Sequence, residues 1–337
     1  MKLSNDAKLY FLQHFIQPFV VIYTVFPAYL FLYTKNPLLV GVLLSISYAL
    51  GHLSIVAGFL TDYIVNTRRY DLTLSLLSSS SFLLSYLLYT PNPQFIFLSL
   101  TVIGVIHSLK GTNHIKVLRN LVNSPQEYRV VWISVNIVRM TSTILLLCLT
   151  FSIGLKTLLL ILGLFMLLIH TPLILVIKYP KGTGSAKILF SLSLSTFKKD
   201  KGALFLLLDT LFANFMGGLL PVFLVFFQPD FITNYIIYYS MTIAYSSLSL
   251  LIFTKVKVEK YRNSLYNIFL FFRGIIPSLL LISLAFTQFP LIVIILYWFS
   301  LTIYSSFATP IFQMRLPKEI IASYNGLLAT LGSVLAT

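Results

Sequence analysis

Long apolar runs alternate with short polar interruptions along the whole chain. A helix rising 1.5 Å per residue needs ~20 apolar residues to cross ~30 Å of hydrocarbon. By that measure the pattern predicts about eleven spans, near 10–33, 38–60, 72–90, 94–115, 131–153, 157–177, 203–227, 235–254, 264–286, 290–312 and 320–337. Pro, Gly and Ser interrupt many of them, which membrane helices tolerate because neighbours satisfy the freed backbone groups. The last run ends with the chain at LGSVLAT, so a twelfth helix is missing and truncation is the expectation.

Composition excludes a water-soluble fold, since 58% hydrophobic residues, 10% charged residues and a mean hydropathy of +0.90 leave too little polar surface. The class predicted is an all-α polytopic membrane protein with the lipid bilayer as its partner. The net charge of +15 changes meaning with position. No basic face for nucleic acid forms, because the cations fall between apolar runs. With the N-terminus taken as cytoplasmic, 20 of the 24 Lys and Arg lie in inside loops, Lys110, Lys116, Arg119 and Arg129 among them. Only Lys35 and Lys156 lie outside, which fits the positive-inside rule for a multi-pass protein of the cell membrane. The N-terminus shows no cleavable signal, and the single Cys148 gives neither disulfide framework nor metal motif.

An internal repeat divides the chain. Pro27 in FPAYLFLY matches Pro221 in LPVFLVFF at an offset of 194, Thr61 matches Thr254 at 193, and Pro125 in SPQE matches Pro317 in LPKE at 192. Two six-helix bundles of like orientation are expected, 1–177 and an incomplete 203–337, joined by a cytoplasmic linker at 178–202.

The stretch GFLTDYIVNTRR joins the second and third spans. It resembles the signature loop of the major facilitator superfamily, in which Gly is followed four residues on by Asp and then by a basic pair. Gly58, Asp62, Arg68 and Arg69 take those places, although the family's turn glycine is absent, with Val65 near it, and the basic pair comes late. LRNLVNSPQEYRVVWIS similarly resembles the family's loop into the fifth helix. The resemblance implies two pseudo-symmetric bundles that rock about a midplane site. It also implies a gating latch in which Asp62 pairs with a cation such as Arg129 and faces the start of the eleventh helix, near Glu319–Ile320.

Ionisable residues inside spans cost ~3 kcal/mol on the insertion scale and mark candidate sites. Arg139 lies ten residues, or about 15 Å, beyond Arg129, on one face with Trp132, Asn136 and Thr143. Arg273 sits at a similar depth in the ninth span, and Asp209 reads as the sole acid well inside a helix. Arg139, Arg273, Asn136, Gln17, Asn214 and Tyr238 are the substrate-binding candidates; Asp209, His107 and His52 are the candidates for proton coupling. Two cations against one acid suit an anionic small molecule, and an interhelical ion cluster is the alternative reading. Nine acids without a cluster argue against a membrane-embedded enzyme, and no cofactor is expected, haem included. Secondary transport by a monomer is the first expectation, and a non-transporting receptor or assembly protein on the same fold stays open.

Overall fold

In the computed structural model, residues 4–15, 25–199, 270–284, 286 and 290–336 are described, with scattered positions between 240 and 267. Every regular element among them is helical: α1 Asn5–Gln13, α2 Phe26–Thr34, α3 Pro37–Leu50, α4 Ser54–Tyr63, α5 Thr67–Leu87, α6 Pro93–Leu121 and α7 Pro125–Phe165. After them come α8 Thr171–Val176, α9 Ala186–Lys199, α10 Ile276–Leu284, α11 Pro290–Arg315 and α12 Ile321–Ala336.

Local chemistry sets the starts. Ser4, Asn66, Asn92 and Ser124 each cap a helix by accepting a backbone N–H, and Pro93 and Pro125 follow their caps where no N–H is needed. At SPQE the Glu127 carboxylate also accepts from the Asn123 N–H at 2.7 Å. Among the described residues, three helical stretches are long and apolar enough to span a membrane: Leu38–Tyr63, α6 and Pro125–Val176. The last has 52 residues and reverses at Gly154, whose φ of 79° favours glycine. It then returns so that Ile177 joins the same cluster as Tyr128.

Packing inverts the soluble pattern. Leu38, Leu84, Leu87, Leu98 and Leu168 are exposed, while five of the six serines of α5 are buried, all but Ser80. Ser79 donates to the Gly163 carbonyl at 2.8 Å, the close approach that small residues allow between membrane helices. Π-turns precede two prolines, Met166–His170 before Pro172 and Leu270–Ile275 before Pro277. Each places an ionisable residue, His170 or Arg273, where the helical ladder is already broken.

Several sequence expectations change. The sixth span ends as expected near 177, but the linker is not all loop, since α9 occupies Ala186–Lys199. The fourth span runs on to Leu121, so Lys116 is a helix residue, and Lys110, already inside the expected span, is no loop charge either; the two are 3% and 2% exposed. A window sized to the bilayer cut the helix short, because it cannot anticipate acids on neighbouring helices that accommodate both lysines.

Candidate functional site

Two Asp–Lys pairs share α6. In the first, Lys116 Nζ stands 2.9 Å from Asp62 Oδ1 and donates to the Thr61 carbonyl at 3.2 Å. The other carboxylate oxygen, Oδ2, accepts the Ser323 N–H at 2.6 Å, across 261 residues of chain. Ser323 lies in the first turn of α12, where backbone N–H groups lack intrahelical partners and the helix dipole is positive. Ile320, the residue before α12, has no side-chain acceptor, so α4 supplies the acid from outside. The cation on Asp62 is Lys116, not the expected Arg129. Arg129 instead lies over the Phe307 ring of α11, 5.7 Å from its centroid.

Glycine makes the crossing of α4 and α12 possible. A Cβ on Gly58 would lie 2.3 Å from the Ala322 carbonyl oxygen, and one on Gly326 would lie 2.2 Å from that of Ser54. Further along, Thr330 donates to the His52 carbonyl at 3.1 Å and accepts the Ile55 N–H at 2.9 Å. It thereby satisfies backbone groups beside the 3₁₀ turn Gly51–Leu53. Arg119 adds a tie by donating to the Met314 carbonyl near the end of α11 at 3.2 Å. The missing turn glycine after Asp62 is compensated by the linker. Thr183 and Gly184 donate their N–H groups to the carbonyls of Asp62 and Tyr63, at 2.8 and 2.9 Å. Arg68 donates to the Ile177 carbonyl at 3.1 Å, while the Arg69 side chain is exposed.

The second pair was not anticipated. Asp71, 0% exposed, faces Lys110 at 3.7 Å. Tyr179 donates to Asp71 Oδ2 and accepts from Gln13 Nε2 at 3.0 Å. Burial first, and then the Asp71 charge, hold the Tyr179 phenol well above its ordinary pKa, so it remains a donor. Lys110 Nζ also lies 3.4 Å from both ring nitrogens of His170, and Ser75 bridges to His170 Nδ1 at 3.0 Å. Asp71 is therefore a buried acid inside a helix, a place that the sequence reading reserved for Asp209. The signal was present as Asp71, Ser75 and Ser78 at helical spacing, but Asp71 directly follows a basic loop and reads as part of it.

Arg139 is half-buried on α7 beside the half-buried Asn136, and it acts electrostatically on Tyr10, His14, His107 and His114. Arg273 is 4% exposed and stacks over Tyr304, 5.7 Å from the ring centroid. His52 is half-buried in its 3₁₀ turn, apart from that histidine group in sequence and element. Gln17, Asp209, Asn214 and Tyr238 lie outside the described residues. Among the described residues no group of His, Cys, Asp or Glu could hold a metal ion.

No family model matches the sequence, and no curated protein matches it. Solved structures do match. The human organic anion transporter MFSD10 (TETRAN) aligns with a TM-score of 0.73 at 13% identity, over 98% of this chain and 90% of that one. The nucleoside transporter NupG aligns with a TM-score of 0.59 at 14% identity, over 98% and 87%. The proton:xylose symporter XylE, a major facilitator superfamily protein, aligns with a TM-score of 0.62 at 14% identity, over 98% and 85%. This chain has the major facilitator fold.

Proposed function

We propose that the protein is a secondary transporter that moves a small organic anion across the cell membrane by alternating access, without a covalent step. The observation that carries this reading is the α4–α12 crossing: helices from the two repeats meet at glycine-sized distance, and a single carboxylate holds the start of one of them. Such a contact suits a reversible gate, because the charge-assisted hydrogen bond that holds the start of α12 can be released without unfolding either helix. Gly58, Asp62 and Lys116 are its parts, and Arg129 braces it over the Phe307 ring of α11. Arg68 and Arg69 belong to the adjoining loop. The bundles correspond to 1–177 and 203–337, and the intact chain works as a monomer. Likeness to an organic anion transporter, with Arg139 and Asn136 together on α7, supports an anion. Gln17, Asn214, Tyr238 and Arg273 complete the substrate-binding set, and Asp209, His107 and His52 are the candidates for proton exchange.

The test is uptake into proteoliposomes of a panel of organic anions, sugars and nucleosides. An anion should enter and the neutral solutes should not. Asp62→Asn should remain folded and inserted while turnover falls about tenfold or more, the effect of weakening one charge-assisted hydrogen bond. Wild-type turnover in that variant would remove the gate from this reading. Orientation has its own check. On a Cys148→Ser background, cysteines at Ser185 in the linker and at Thr90, between α5 and α6, should label from opposite faces, the linker from the cytoplasm. Labelling from one face would reject the topology.

A further inference from the structure

We infer that the linker segment 177–184 is a strap fastened to the first repeat, and that Tyr179, Gly182 and Thr183 are positioning residues that aim Asp62 at α12. The inference rests on the gate of the transport reading and adds a part to it. It also draws the edge of the first moving bundle after Gly184 instead of at 177.

The strap lies along the corner 62–71, where α4 gives way to α5. Arg68 donates to the Ile177 carbonyl at 3.1 Å, Thr67 donates to the Pro180 carbonyl, and the Thr183 N–H donates to the Asp62 carbonyl at 2.8 Å. As the linker advances from 177 to 183, its partners fall back from 68 to 62, so the two segments run antiparallel. Gly182 crosses the corner at Ile64. A Cβ there would lie 2.7 Å from the Ile64 carbonyl carbon and 2.8 Å from the Asp62 carbonyl oxygen, and only glycine admits backbone so close. Tyr179 ties the strap to helices beyond the corner, since its hydroxyl donates to Asp71 on α5 and accepts from Gln13 on α1. These bonds all end on the first repeat, so the strap travels with it.

Helix ends explain why this matters to the gate. The last carbonyls of a helix have no intrahelical partner. On α4, which the chain leaves in extended conformation at Ile64, the Thr61 carbonyl is taken by Lys116, and those of Asp62 and Tyr63 are taken by Thr183 and Gly184 of the strap. Asp62 is therefore held twice, by the linker at its backbone oxygen and by the Ser323 N–H at its carboxylate. It is 0% exposed, so its carbonyl cannot exchange the strap for water without the turn moving. Lifting the strap frees the final turn of α4, and the carboxylate on that turn loses its aim at α12.

Two measurements on the full chain separate the strap from the gate. Hydrogen exchange at the Thr183 and Gly184 amides reads whether the strap is seated, because both N–H groups are bonded to α4. Spin labels on a Cys148→Ser background at Arg69, exposed in the first turn of α5, and at Lys318, exposed before α12, read the gate without touching the strap. Gly182→Ala forces backbone apart at the crossing, and Tyr179→Phe keeps the ring while removing the hydroxyl. Gly182→Ala should speed exchange at both amides at least about tenfold and raise the long-distance population by a similar factor. Tyr179→Phe should move both readings the same way, less strongly. Gly41→Ala should match the parent in both.

Faster exchange with an unchanged Arg69–Lys318 distance overturns the inference, because a strap that is only structural would lower Tm and leave the gate alone. Unchanged exchange in both variants overturns it as well. If Gly58→Ala lengthens that distance and Gly182→Ala does not, the gate stands and the strap falls. If the strap variants open the gate and no solute on the uptake panel crosses, the strap stands and the transport reading fails.

Discussion

Gly58→Ala is expected to open the end of the molecule that carries Asp62. The added methyl would sit 2.3 Å from the Ala322 oxygen and 2.9 Å from both the Ala322 carbonyl carbon and Ser323 Cα. These are backbone atoms, so no rotamer change relieves the clash, and α4 must withdraw from α12. Withdrawal pulls Asp62 from the Ser323 N–H and parts Gly326 from Ser54. Overpacking costs about 1–3 kcal/mol and loss of a hydrogen bond to a charged group about 1.5–3. Together they would shift the closed-to-open ratio by about two to four decades. Spin labels at Lys181, in the linker segment that caps α4, and at Lys318, in the turn before α12, measure this separation. A longer-distance population should dominate in Gly58→Ala, whereas Gly41→Ala, with nothing within 4 Å of its Cβ, should match the parent. An unchanged distance distribution in Gly58→Ala would mean that the crossing does not limit closure.

The second large effect is on stability. Asp71→Ala leaves the Lys110 ammonium 2% exposed without its carboxylate and takes the acceptor from Tyr179. An uncompensated buried charge costs about 3–5 kcal/mol, well above an ordinary core truncation of similar size. Thermal unfolding of the purified protein should show a large fall in Tm for Asp71→Ala. Most of that fall should be recovered in Asp71→Ala/Lys110→Met, where an apolar chain of similar length replaces the ammonium. A single variant that melts with the parent, or a double variant no better than the single, would show that the pair contributes little. The comparison also separates the two pairs on α6. Asp71–Lys110 joins helices of one repeat and belongs to its core, whereas Asp62–Lys116 lies against a helix of the other repeat, where it can be made and broken.

The sequence alone determined the class of the protein and, among the described residues, most helix positions, because bilayer thickness imposes a length on apolar runs that needs no knowledge of partners. It also placed Gly58 and Asp62 at the end of a span and exposed the repeat, since spacing along one strand of chain is local information. The alternation of apolar and polar residues could not say which side of a helix end is buried. Lys110 and Lys116 therefore read as loop cations and Asp71 as a loop acid, although all three lie at or below 3% exposure. Choosing Lys116 over Arg129 as the partner of Asp62 took the register of α6 beside α4, and the Asp62–Ser323 bond took the docking of α12 from 261 residues away. Only the tertiary structure decided these points, because a buried charge is tolerated by what stands opposite it in space, and that is fixed by how helices from distant parts of the chain pack.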